Sequence, residues 1–125
     1  MSFIYLASPY SHPNSAIRQA RFRAAEEFTA EAIKDGQAIF SPIIHNHELA
    51  LRYHLPTTME FWWAYNSAIL YSADYLWVLT LPGWQESHGV SREIAFFNSF
   101  NKQPEYKSPD GLLSLQSFRQ ELNVR

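Results

Sequence analysis

Cysteine is absent from the 125 residues, which excludes disulfide bonds and thiolate chemistry. Basic runs are missing too. Ten Lys and Arg stand against twelve Asp and Glu, a formal net charge of −2, and no positive block could follow a nucleic-acid backbone. A polymeric nucleic-acid partner is therefore not expected, although one or two arginines could still meet a small anion. No apolar run approaches the roughly 18 residues of a membrane helix, so no membrane partner is expected. FIYLA at 3–7 follows no basic stretch and runs directly into Ser8 and Pro9, so it reads as a strand and not as a signal peptide. With no internal repeat and no low-complexity segment, the expectation is one cytoplasmic domain over 1–125.

Aromatic residues, in contrast, are plentiful: 4 Trp, 7 Tyr and 9 Phe are more than one small core easily hides. Some of that surface is expected to form a subunit contact, and the helix around Phe61, Trp62 and Trp63 carries apolar residues on more than one face. A homodimer or higher homo-oligomer is the expectation.

Along the chain, short apolar runs alternate with helical periodicity. FIYLA empties into the turn-forming SPYSHPN. Ile17, Ala20, Ala24, Ala25, Phe28 and Ala32 then recur at helical spacing between about Asn14 and Asp35, with Gly36 where a C-terminal cap belongs. AIFSPI at 38–43 reads as a second strand that ends in the polar loop HNHE. Thr57 or Thr58 can cap a helix over 59–73 whose face is marked by Phe61, Ala64, Ala68 and Tyr71 or Ser72. YLWVLTL at 75–81 is a continuous apolar run of the kind that lies inside a sheet covered on both faces. Ser87 starts a third helix that Pro104 closes, EYKS is a weak strand, and a last helix covers about Leu112 to Leu122.

This alternation predicts an α/β fold: a small doubly wound, flavodoxin-like or Rossmann-like sandwich on a parallel sheet of four or five strands, with YLWVLTL central. Ligands in such sheets bind beyond the carboxyl ends of the strands. That rule selects the loops ASPYSHPN, SPIIHNHE and PGWQESHG.

Within these loops, Ser87 and Gly89 open a helix whose positive end favours an anion, although Ser is equally a plain N-cap. Glu93 shares a helical stripe with Gly89, Val90 and Phe97 that normally faces a core. A carboxylate there is either paired with Arg21 or Arg92, or directed into a pocket that needs it. Arg21, between Ile17 and Phe28, could reach a phosphate or Glu93, or simply lie along the edge of its stripe. His45 and His47 could ligate metal only with a third group such as His54 or Glu48, and neither metal nor cofactor is expected. Tyr5 and Tyr10 flank the first loop, where aromatics more often serve the core.

Taken in order, IYLASPYS at 4–11, Arg21-Phe22, Gly36 before IFSPIIHNH, Ser72-Ala73-Asp74 and SHGVSREI resemble the nucleoside 2-deoxyribosyltransferase superfamily. The resemblance is strongest to small bacterial and phage members with a GW-x-x-S-x-G-x-x-x-E pattern, matched here by Gly83, Trp84, Ser87, Gly89 and Glu93. The interval from Ser87 to Glu93 is also similar to that of the branch hydrolysing deoxynucleoside 5'-monophosphates.

The resemblance implies that Glu93 attacks C1' of the deoxyribose and forms a covalent glycosyl-enzyme, which water or a second base then resolves. It implies that Tyr5, Ala7, Ser8, Pro9 and Tyr10 line the sugar and base pocket, and that Ser87, Gly89 and Arg21 hold a 5'-phosphate. The partner would be a small nucleoside or nucleotide. Many members carry an aspartate eight residues before Asp74, where this chain has Asn66. An amide hydrogen-bonds a base but delivers no proton, so Asp74, His45 or His47 would have to substitute. The alternative is a nucleotide-binding module of the same fold without turnover.

Overall fold

The structure, a computed structural model, describes residues 2–109. Its centre is β1 (Ile4–Ala7), buried along its whole length, with β3 (Tyr75–Leu79) parallel beside it in a register that pairs Ile4 with Tyr75 and Ala7 with Val78. β2 (Ile39–Phe40) pairs with the other side of β1, and β4 (Glu105–Lys107) pairs with β3. The sheet is thus four parallel strands in the order β2-β1-β3-β4. This is the doubly wound α/β sandwich that the alternating pattern predicts, with YLWVL in the interior.

Four helices make the crossovers: α1 (Ser15–Lys34), α2 (Pro42–Tyr53), α3 (Met59–Ser72) and α4 (His88–Asn98). The side chains of β1 and β3 alternate between the two faces. Tyr5, Ala7, Leu76 and Val78 pack with Leu70 of α3 and with Val90 and Phe97 of α4. Leu6 and Leu79 pack on the opposite face with Phe28 of α1. The chain leaves β1 for β2 on one side and later returns to place β3 on the other. The point where strand order reverses therefore lies between β1 and β3, and a crevice opens beyond their carboxyl ends.

Four local expectations require correction. The second strand covers only Ile39–Phe40, because Ser41 is an N-cap whose hydroxyl accepts from Ile44 N and Pro42 occupies the first helical turn. The segment read as the polar loop SPIIHNHE is consequently the first half of α2. The face of α3 turned inward carries Asn66 and Leu70, whereas Phe61 and Tyr71 lie exposed on the side expected to pack. α4 stops at Asn98, well short of Pro104. On α1 the bounds near Asn14 and Asp35 stand where expected, with Asp35 as the C-cap and Gly36 just after it at positive φ, but the buried stripe runs through Phe22, Ala25, Phe28 and Ala32 and leaves Ile17 exposed. The helix expected over 112–122 lies outside the described residues.

Candidate active site

A cavity of about 460 Å³ occupies the crevice, and the loop after β1 and helices α2, α3 and α4 contribute to its wall. Ser8 and Tyr10 come from the loop after β1, Asn46 and His47 from α2, Asn66 from α3, and Ser87, Gly89 and Glu93 from the start of α4. The volume lies in the range of small-molecule sites.

Glu93 is only 3% exposed. The Tyr5 hydroxyl, on the buried strand β1, donates to its Oε2. No arginine pairs with it among the described residues. Arg92 lies over the Trp63 ring at 4.3 Å, and Arg21 Nη1 donates to the carbonyls of Tyr10 and Ser11 at 3.4 and 3.0 Å. Without a counter-charge, burial raises the Glu93 pKa to about 8, against the opposing pull of the Tyr5 hydrogen bond. The same burial, with the carboxylate beside it, raises the Tyr5 phenol well above its ordinary range. At neutral pH the carboxyl is therefore mostly protonated, and it is poised to ionise just above.

Polar side chains share the cavity with this carboxyl. Tyr10 hydroxyl lies 2.5 Å from His47 Nδ1, and His47 Nε2 lies 3.1 Å from Gln19 Oε1. With the Gln19 oxygen turned to Nε2, that nitrogen carries the ring proton and Nδ1 accepts from Tyr10. Phe22 stacks on the His47 ring at 4.2 Å. Burial lowers the His47 pKa, with smaller contributions from Arg18 and Arg23 in the same direction and from Glu48 against it; burial raises that of Tyr10. Asn46 Nδ2 donates to Asn66 Oδ1 at 3.1 Å. Ser8 Oγ is buried with no hydrogen-bond partner among the described residues. Ser87 Oγ accepts from Val90 N at 3.2 Å, so the serine is an N-cap and also lines the cavity at the positive end of α4.

The structure thus brings Tyr5, Ser8, Tyr10, Asn66, Ser87, Gly89 and Glu93 together, with Ala7 and Pro9 buried in the chain between them. Three residues expected at the site are not brought to it. Asp74 precedes β3 at the amino end of the sheet, where its carboxylate accepts from Phe3 N at 2.8 Å. His45 turns away from the cavity to stack on Tyr65. Arg21 is a strut beneath the loops: Gly83, at φ 92, leaves room for its guanidinium, and a Cβ there would come within 2.6 Å of Nη2. Asn46, Met59 and Trp62 also line the cavity and carry no sequence signal of their own. Among the described residues, no group of three or more His, Asp or Glu is placed to hold a metal ion.

Residues 2–105 match the family described as "Domain of unknown function (DUF1937)". The chain belongs to this family. The matched span contains every cavity residue of the DUF1937 domain named above. No curated protein matches the chain.

Proposed function

We propose that the protein cleaves or transfers the N-glycosidic bond of a deoxynucleoside or deoxynucleoside 5'-monophosphate, with Glu93 as nucleophile. One observation carries this reading: a buried carboxyl held by a tyrosine hydroxyl on the wall of a nucleoside-sized cavity, with no arginine or lysine beside it among the described residues. A structural ion pair would need that cation. In the proposed reaction the Glu93 carboxylate attacks C1', and the C1'–N bond breaks with its electron pair passing to the base nitrogen, which takes a proton. Water or a second base then displaces the carboxylate from C1'. A nearby anion stabilises the oxocarbenium-like centre, and a dry site strengthens that attraction.

The rest of the wall fits such a ligand. The unpartnered Ser8 hydroxyl suits a sugar oxygen, and the start of α4 at Ser87 and Gly89 suits a 5'-hydroxyl or phosphate. Of the three groups that could replace an aspartate at position 66 as proton donor, only His47 lines the cavity, and its lowered pKa makes it a poor acid at neutral pH. Slow departure of the base follows. The same two facts, a carboxyl protonated up to about pH 8 and an amide at Asn66, favour the second reading, a nucleotide-binding module without turnover. Incubating the protein with deoxynucleosides and their 5'-monophosphates at pH 8–9 and assaying for free base by chromatography separates the two. Free base supports the enzyme; binding without release supports the module.

A further inference from the structure

Four polar side chains run in a line from the surface to the cavity. The Tyr65 hydroxyl meets His45 Nε2 at 3.2 Å, His45 Nδ1 meets Asn46 Oδ1 at 2.9 Å, and Asn46 Nδ2 donates to Asn66 Oδ1 at 3.1 Å. Asn46 and Asn66 are 8% and 4% exposed, and both line the cavity. The Asn66 amide nitrogen donates to no protein group among the described residues, so its N–H bonds serve whatever the cavity binds.

In this arrangement Asn46 sets the direction of every bond. Its carbonyl accepts from His45 Nδ1–H, which leaves Nε2 to accept from the Tyr65 hydroxyl. The opposite direction is equally complete. With the His45 proton on Nε2, Tyr65 accepts it, Nδ1 accepts from Asn46 Nδ2, and Asn46 Oδ1 accepts from Asn66 Nδ2. The Asn66 carbonyl then faces the cavity. Three hydrogen bonds are made in either direction, so reversal leaves no buried polar group unpaired and avoids the penalty such a group would carry. It requires half-turns of two amides and one change of tautomer. His45 and Tyr65 are both exposed, so water can carry the proton between the ring nitrogens, and a hydroxyl that donates as readily as it accepts ends the chain.

We infer that Asn66 reads the edge of the bound base with reversible polarity, presenting N–H to an acceptor or C=O to a donor as the ligand demands. This rests on the nucleoside reading above and adds its substrate range: pairs of nucleosides whose edges interchange donors and acceptors atom for atom, as 6-amino and 6-oxo purines do. An ionised aspartate at this position could only accept.

The test uses Glu93→Gln, which cannot form the glycosyl ester, with 2'-deoxyadenosine and 2'-deoxyinosine as probes. Calorimetry is expected to give dissociation constants within about tenfold of each other, because neither ligand leaves a buried group unpaired. Nitrogen-15 NMR of the His45 ring, at a pH where it is neutral, is expected to show the proton on Nδ1 in one complex and on Nε2 in the other. Adding Asn66→Asp is expected to weaken one ligand by roughly 10- to 100-fold and spare the other. The same His45 tautomer in both complexes, or equal losses for both ligands with Asn66→Asp, would overturn the inference. If the aspartate variant does not fold, the tautomer measurement decides alone. Failure of the catalytic reading looks different: both ligands bind and reverse His45, yet the wild-type protein releases no base. Binding of neither nucleoside overturns both.

Discussion

The Tyr5 hydroxyl donates to the Glu93 carboxylate across 88 residues of sequence, tying the innermost strand to the helix on its face. A phenol that donates to a carboxylate favours the ionised form, so this contact partly offsets the burial that holds Glu93 protonated. Replacing Tyr5 by Phe removes that offset. The apparent pKa on the rising limb of kcat/KM for an uncharged deoxynucleoside is expected near 8 in the wild type and higher in Tyr5→Phe. A limb unmoved by the substitution would show that the hydrogen bond does not tune the carboxyl.

Burial of Glu93 also fixes the sign of a stability effect. The unfolded chain loses this proton near 4.5, while the folded chain keeps it to about 8. Between those values the unfolded state binds fewer protons, so stability falls as pH rises and levels off above about 8. Glu93→Gln lacks this slope. It is expected to be more stable than wild type by an amount that grows across the window and reaches the order of a few kcal/mol at pH 9. Denaturant unfolding at pH 5 and pH 9 measures it. A variant less stable at both would indicate the ion-pair role, with a stranded cation.

Gly83 and Gly36 both adopt positive φ, 92 and 85, but only Gly83 would meet another group through an added Cβ. Gly36→Ala should therefore cost about 1 kcal/mol of backbone strain. Gly83→Ala should cost more, because Arg21, anchored on the carbonyls of Tyr10 and Ser11, must also shift. Thermal melts of the two variants and of Gly83→Ala combined with Arg21→Ala check this. Arg21→Ala should relieve the excess at Gly83; strictly additive losses would contradict the strut.

Much of the fold was readable because the buried strands are continuous apolar runs and α1 and α4 have clear caps at Asn14 and Ser87. Glu93 stood out for the same reason, as a charge on an otherwise apolar stripe. α2 was hidden because two of its four inward residues, Asn46 and His47 beside Pro42 and Ala50, are polar where they line the cavity, so hydrophobic periodicity fails there. Ser41-Pro42 as N-cap and first-turn residue was the available signal. On α3, apolar residues all round leave the face undetermined, and one of its two inward positions is the polar Asn66. Asp74 came to the candidate site through the resemblance alone. A residue that precedes a parallel strand sits at the amino end of the sheet, away from the crevice.

The exposed aromatics of α3 and the chain after α4 include Tyr71 and Phe100, at 68 and 41% exposure. Their contiguity with the T-shaped pairs Trp63–Phe96, Phe96–Phe100 and Tyr71–Phe100 leads us to expect a second copy of the chain on this face. Light scattering at micromolar concentration should give at least a dimer, and Tyr71→Glu with Phe100→Glu should give a monomer. A wild-type monomer would contradict this expectation.

Base release by Glu93→Gln tests the central claim most directly. The substitution keeps the shape of the side chain and an oxygen for Tyr5, and it removes the charge proposed to attack C1'. If Glu93 is the nucleophile, free base from a deoxynucleoside at pH 8–9 should fall by at least two to three orders of magnitude, roughly the loss of one strong transition-state contact. Binding measured by calorimetry should persist. Near-normal base release by a folded Glu93→Gln protein would contradict the account.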